Sequence, residues 1–277
     1  MKKAKSIVAM LVICCLVLSS SGCATYRVHP EFEERHKKIH SVSIMKPEAE
    51  IYQVSFRGEK KLLTELMATL SQESVKEIKS VLEAKGYEVR ELDLSEDVLK
   101  LDPSLRNAYF NVTKLFKKTI EDIKAGKKKQ FTYDIGTEVN IFADRSGADV
   151  LIFTQESGFK KTAGEIAKEV TKTLLIAVAT LGNIVVRSQY YATVIQLAVV
   201  DSNTGEILWY NTNESQCEVD PADMKFIKRH IDMILKPFPD SVFKKKEMKA
   251  SGKEQAVVSK EVPVSLPSSP GVSPARQ

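Results

Sequence analysis

Four cysteines and four histidines are the side chains whose placement decides whether this chain can do nucleophilic, metal or redox chemistry. Cys217 has no histidine near it in sequence, so it reads as a semi-buried thiol rather than a nucleophile. His36 and His40 have the i, i+4 spacing that grips a metal on a helix, but no third ligand is placed to complete a tetrahedron. With His29 they are expected to be solvated, and His230 is expected at the boundary of a helix's apolar stripe. The acidic pairs Glu33-Glu34 and Glu121-Asp122 lie in charged surroundings. A working general acid needs a carboxyl group whose pKa burial has raised, and the sequence points to none. The P-loop, GxGxxG, GxSxG and HExxH patterns are all missing. No catalytic residue, cofactor-binding residue or metal ligand is therefore assigned. Lys127 to Lys129 and Lys244 to Lys246 lack interleaved aromatics and read as solvated turns, against contacts with anionic lipid headgroups or cell-wall polymers, and no nucleic-acid partner is expected.

The remaining chemistry is at Cys23. Lys2, Lys3 and Lys5 precede an unbroken apolar run from Ile7 to Leu18, and small residues follow from Ser19 to Gly22. That is the layout of a secretory signal over residues 1–22, and the run is too short to span a bilayer permanently. Gly22-Cys23, in "LSSSGCATY", resembles the bacterial lipobox, which implies a diacylglycerol on the Cys23 sulfur and cleavage just before it. Ser20 stands where the pattern usually has leucine, and Ser20 with Gly22 also fits an ordinary signal peptidase. Acylation at Cys23 is the expectation taken forward, because a lone cysteine directly after such a signal has little other purpose. Ala24 rather than aspartate next to it implies outer-membrane sorting. Cys14 and Cys15 leave with the signal, so with Cys23 acylated no intramolecular disulfide remains. Removing residues 1–22 takes three lysines and lowers the formal net charge from +5 to +2, which gives no reason to expect a nucleic-acid partner.

The rest of the chain reads as an α/β body between unstructured ends. Residues 23–40 are expected to be a flexible linker, about 17 residues with an r.m.s. reach of roughly 25 Å. Residues 240–277, ending "VPVSLPSSPGVSPARQ", are expected to be disordered, being too poor in large apolar groups to offset ordering. Between them, residues 41–239 form the domain. Strands are expected at Ser41 to Met45 and Ile51 to Phe56, then a helix from Lys60 to Lys85 with Leu63, Leu66, Leu70, Ser74, Ile78 and Leu82 on one face. "YEVREL" alternates like an edge strand. Asp102-Pro103 starts a helix carrying Leu105, Tyr109, Val112, Phe116, Ile120 and Ile123. A short helix follows from Thr137 to Arg145, and a buried strand from Val150 to Thr154. "YYATVIQLAVVDSNTGEILWYNT" is a hairpin around the turn "DSNTG". Asp220-Pro221 opens a last helix with Phe226, Ile227, Ile231, Ile234 and Leu235. The order βαβ(αα)βαββα predicts a mixed sheet packed by helices. The apolar run Thr173 to Val186 is too short to span a membrane. It is read as the buried end of a helix from Thr162 to Leu181, against a contact with lipid or a neighbouring subunit.

"LEAKGYEV", "SGADVLIFTQ" and "ATVIQLAVVDSNTGEILWYNT" together resemble the envelope lipoproteins with a TolB-N-terminal-like α/β domain. That group includes the curli secretion channel CsgG and the penicillin-binding-protein activator LpoB. The resemblance covers Ser41 to Pro239. It implies a non-enzymatic module that binds another envelope protein or itself in the periplasm, anchored in outer-membrane lipid through acylated Cys23. The chain lacks the activator's long tether and shows no pair of alternating segments like the channel's membrane-crossing hairpins. A scaffold or assembly factor is thus the leading expectation. A ring-forming secretion subunit and a hydrolase without a recognisable motif are the rivals.

Overall fold

The computed structural model describes residues 26–55, 57–169, 189–214 and 218–243. Cys23, Cys217, the run 173–186 and residues 244–277 lie outside the described residues. The α/β class expected from the sequence is the one observed, a mixed eight-stranded sheet with helices on both faces.

β6 (Val150–Lys161) is the strand that the rest of the sheet is built on. β2 (Ser41–Ile44) runs parallel to its first part, Val42 opposite Val150 and Ile44 opposite Ile152. β3 (Glu48–Val54) runs parallel to its second part, from Glu48 opposite Gln155 to Val54 opposite Lys161. Between β2 and β3 the Met45 N–H still reaches the Ile152 carbonyl at 2.9 Å, and Pro47, which has no N–H, ends the ladder there. On its other side β6 pairs antiparallel with β7 (Tyr191–Asp201). β7 then pairs with β8 (Ile207–Thr212), and β8 with β1 (Arg27–Val28). β4 (Lys60–Leu62) and β5 (Glu88–Arg90) lie at the opposite edge, on β3 and β2. β6 is longer than the strand expected over 150–154. Its second half has a partner, β3, that local sequence does not reveal.

Both faces of the central strands are buried, which is why they read as nearly continuous apolar runs. Val150 and Ile152 face a core shared with α2 (Thr64–Ala84) and α6 (Met224–Leu235). Leu151 and Phe153 face a second core under α4 (Pro103–Lys124) and α5 (Asn140–Ser146). α1 (Phe32–His36) and α3 (Glu96–Leu101) are short connecting helices. Asp102 caps α4 as expected, accepting from the Leu105 N–H at 2.9 Å with Pro103 at the first position. All six residues expected on the α4 stripe are buried.

Three boundaries differ from expectation for identifiable reasons. α2 begins at Thr64 because Lys60–Leu62 are drawn into β4 by the tight turn 55–59, where Gly58 has φ 81°. α6 is capped by Asp223, which accepts from the Lys225 and Phe226 N–H groups, while Asp220 pairs with Lys160 at 2.7 Å. The third difference is the largest. From Tyr26 to His40 the segment expected to be a flexible linker is folded: β1 joins the sheet edge and Phe32 and His36 are buried. Its polar sequence hides this, since the docking rests on a few separated side chains: Phe32, His36 and Ile39 are buried, and Arg35 pairs with Asp201 and Glu206. At the other end the folded body continues past residue 239. Ser241 is fully buried, and its N–H donates to the Lys85 carbonyl at 2.9 Å.

Candidate functional surface

The histidines are placed by the fold rather than gathered into a site. His36 Nε2 lies 2.6 Å from the Tyr87 hydroxyl, which itself donates to the Pro239 carbonyl at 3.0 Å. The ring nitrogen is therefore the donor to Tyr87 Oη, and burial holds His36 below the ordinary histidine range. His230 is buried, not at a boundary. Its Nδ1 accepts from the Asn213 amide at 3.0 Å, and burial lowers its pKa as well. His29 is buried and His40 exposed. Among the described residues no group of three His, Cys, Asp or Glu side chains could hold a metal ion.

Arg35 was not singled out from sequence, yet it secures the N-terminal segment. Its guanidinium reaches Glu206 at 2.6 Å, Asp201 at 2.7 Å and Thr204 Oγ1 at 3.1 Å, across the β7–β8 turn. The guanidinium holds the Asp201 and Glu206 carboxyls below their usual range despite partial burial. Its role is to fasten α1 to the hairpin. Lys127 makes an ion pair with Asp122 at 2.6 Å, and Lys128 lies over the Tyr133 ring, so two of the three lysines in that run are used locally.

One carboxyl meets the burial condition for a raised pKa. Glu156, on β6, has no exposed surface, and neither carboxylate oxygen has a hydrogen-bond partner. Burial pushes it up to about 7, with the Ser74 hydroxyl of α2 pulling weakly the other way. The hydroxyls of Ser74 and Thr154 are unpaired too. Glu156 shares a face with Ile152 and sits beneath α2, closed off from any substrate, so it can hold a proton but cannot deliver one. The sequence missed it because the strand was expected to stop at Thr154. The alternation of "TQESGFKK" was the available signal.

The exposed feature of most interest is one end of the sheet. Lys117 of α4 pairs with Glu50 at 2.7 Å, and Lys124 with Glu214, just past β8, at 2.9 Å. These contacts mark how far α4 covers its face. Beyond them a cavity of about 370 Å³ opens on the same face, floored by Tyr52 and Val54 of β3, Phe159 of β6 and Ala192 and Val194 of β7, with Lys60 at its rim. The register puts Tyr52 opposite both Phe159 and Leu62, and Ala192 opposite Phe159, so these side chains form one continuous apolar row. Leu62 is 42% exposed. The turn 55–59 closes the β3–β4 hairpin at this end, where Arg57, Lys60 and Lys61 are all exposed. The Lys60 ammonium lies over the Tyr52 ring at 6.0 Å. β1 runs antiparallel to β8, with Arg27 opposite Tyr210 and Val28 opposite Trp209. By this register Tyr26 falls beside Asn211, level with Leu197 in the middle of β7, whereas Tyr52 pairs with Phe159 level with Ala192 near the start of that strand.

No helix among the described residues is long and apolar enough to cross a membrane. The chain matches no family model and no curated protein. Among solved structures it is similar to a PelC dodecamer from Paraburkholderia phytofirmans, with 9% identity over 73% of this chain and 88% of that one, at a TM-score of 0.28. It is also similar to a DUF4136 family protein from Bacteroides thetaiotaomicron, with 9% identity over 75% and 92% and a TM-score of 0.26. At these values neither likeness bears on what the chain does.

Proposed function

We propose that the protein is an envelope lipoprotein, held at the periplasmic face of the outer membrane by acylated Cys23, whose α/β body serves as a non-enzymatic scaffold or assembly component for an envelope complex. The observation that carries this reading is how close the lipobox-like site lies to the fold. Only Ala24, Thr25 and Tyr26 separate Cys23 from Arg27, the first residue paired in the sheet. Four residue steps reach about 14 Å at most. Acylation at Cys23 therefore keeps the body against the bilayer, where the flexible linker expected from sequence would have let it roam. Two or more acyl chains hold a protein stably where one does not. The rigid body then presents its surfaces at a fixed height, which suits assembly more than diffusive capture.

Mass spectrometry of the protein purified from its native membrane tests the anchor, with Cys23 as a triacylated or diacylated first residue expected. An unmodified N-terminus in freely soluble material would overturn it. Crosslinking in intact cells tests the scaffold: a defined envelope protein, or a second copy of the chain, is expected on the crosslinked product. Recovery of the monomer alone counts against it.

A further inference from the structure

We infer that the N-terminal half of α2 is a cover over the sheet, released when the Glu156 carboxyl beneath it ionises. The first observation is what the helix covers. Glu156 is fully buried with both oxygens unpartnered, and Ser74 of α2, close enough to act on it, is fully buried with its hydroxyl unpaired. Thr154, two places back on the same face of β6, is buried and unpaired as well. A neutral carboxyl leaves only a modest deficit in such a place. A carboxylate there has neither a donor nor a counter-charge, and that cost is relieved by moving the least secure element around it.

The second observation is that the least secure element is the start of α2. Its N-cap, Leu63, offers no side-chain hydrogen bond to the first-turn N–H groups. Leu63, Leu66 and Met67 are only half-buried, so between Thr64 and Ser74 the only fully buried apolar side chain is Leu70. Ser71 makes a long bond to the Pro47 carbonyl at 3.4 Å. The ion pair of Glu73 with Lys228 of α6, at 2.8 Å, is part-exposed and holds little. α4, on the opposite face of the sheet, is by contrast capped by Asp102 and buries its whole stripe. The third observation is that no neighbouring element supplies a charge to Glu156. On β3 Ala49 stands opposite it, while Glu48 and Glu50 turn to Tyr109 and Lys117 of α4. On β7 it faces Ile195. Lys160, further along β6, is paired with Asp220, and His230 of α6 with Asn213. Lys76 and Glu77 of α2 act on Glu73 and Lys228. Burial, opposed by Ser74 alone, therefore sets the proton on Glu156. Lifting the start of α2 gives the carboxylate water at the expense of Leu70 and two half-buried side chains.

The inference does not rest on the proposed anchor, and hydrogen exchange read by mass on the full protein tests it. After correction for the intrinsic pH dependence of exchange, peptides covering Thr64 to Ile78 are expected to lose protection roughly fiftyfold between pH 5 and pH 8. That ratio follows when a carboxyl held up to about 7 in the closed state returns to an ordinary 4.5 in the open one. Their exchange should be insensitive to urea well below the unfolding midpoint, because a local opening exposes little surface. Peptides of α4 should stay better protected and respond to urea as the whole fold does. In Glu156→Gln the α2 peptides should be equally protected at pH 5 and pH 8. The wild-type comparison of α2 with α4 needs no variant and decides the matter even if Glu156→Gln fails to fold. Equal protection and equal urea dependence of α2 and α4 at pH 8 would make the release an unfolding of the whole body. Protection of α2 that does not change with pH, or a pH response that survives in Glu156→Gln, would remove Glu156 from it. Each of these results overturns the inference.

Discussion

At the scale of single residues, Glu156 behaves unlike the acids around it. Exposed carboxylates such as Glu88 and Asp102 are held low by the arginines and backbone N–H groups they accept from, and their ionised form is the comfortable one. Glu156 has no such partner, so its folded-state pKa rises to about 7 from an ordinary 4.5. The sign follows from proton binding. Between these two values the unfolded chain releases its proton and the folded chain keeps it, so stability falls as pH rises through that window and is level on either side. The loss is on the order of 2–3 kcal/mol between pH 5 and pH 8. Glu156→Gln removes the titration. Its amide stays poorly paired, a cost that does not vary with pH. Denaturant unfolding at several pH values should show wild type losing stability relative to Glu156→Gln as pH rises, and parallel profiles would refute the placement of this carboxyl.

At the scale of elements, the N-terminal segment carries the main departure from what the sequence suggested. A flexible linker tolerates substitution, whereas here Phe32 packs in the core against Phe238 and is 4% exposed. Phe32→Ala is expected to cost about 3 kcal/mol or more, visible as a lowered denaturant midpoint, whereas no change would restore the linker. A second element-scale expectation concerns α4. Asp102→Ala removes the cap to the Leu105 N–H and the ion pair with Arg145, which should lower stability by about 1 kcal/mol. α4 was legible because a cap, a proline and a six-residue stripe agree with one another. β4 was not, because Lys60–Leu62 alone favour no structure and become a strand only when the turn at Gly58 brings them alongside β3. β1 fared likewise: two residues cannot announce a strand, and Tyr26 to His40 are polar enough to pass for solvent-exposed chain.

At the scale of the whole molecule, the proposed function depends on how the body is held. On that proposal, the three residues between Cys23 and Arg27 limit how far the body can stand from the bilayer. Inserting ten Gly/Ser residues after Ala24 would add a reach of roughly 17 Å without touching the fold. The thermal unfolding of the lengthened protein should match wild type. A fluorophore on Tyr26→Cys in the acylated protein should be quenched by headgroup-labelled lipid, and quenched less after the insertion. Equal quenching in both would show that the short connection does not set the height of the body. The hairpin surface was only partly legible: its lysines and Tyr52 could be read directly, but the row that Tyr52 forms with Phe159 and Ala192 depends on pairings between strands far apart in sequence.

By itself the sequence determined what is local: the α/β class, the stripes of α2 and α4, four of the five residues expected on the α6 stripe, Phe226 being exposed instead, and the β7–β8 hairpin. Each of these follows from periodicity, capping or turn chemistry within a few neighbouring residues. The tertiary structure alone decided the rest. It extended β6 to meet β3, buried Glu156 beneath α2, and folded residues 26–40 onto the body. Those outcomes depend on strand register and on burial by distant segments, and no short window of residues encodes either one.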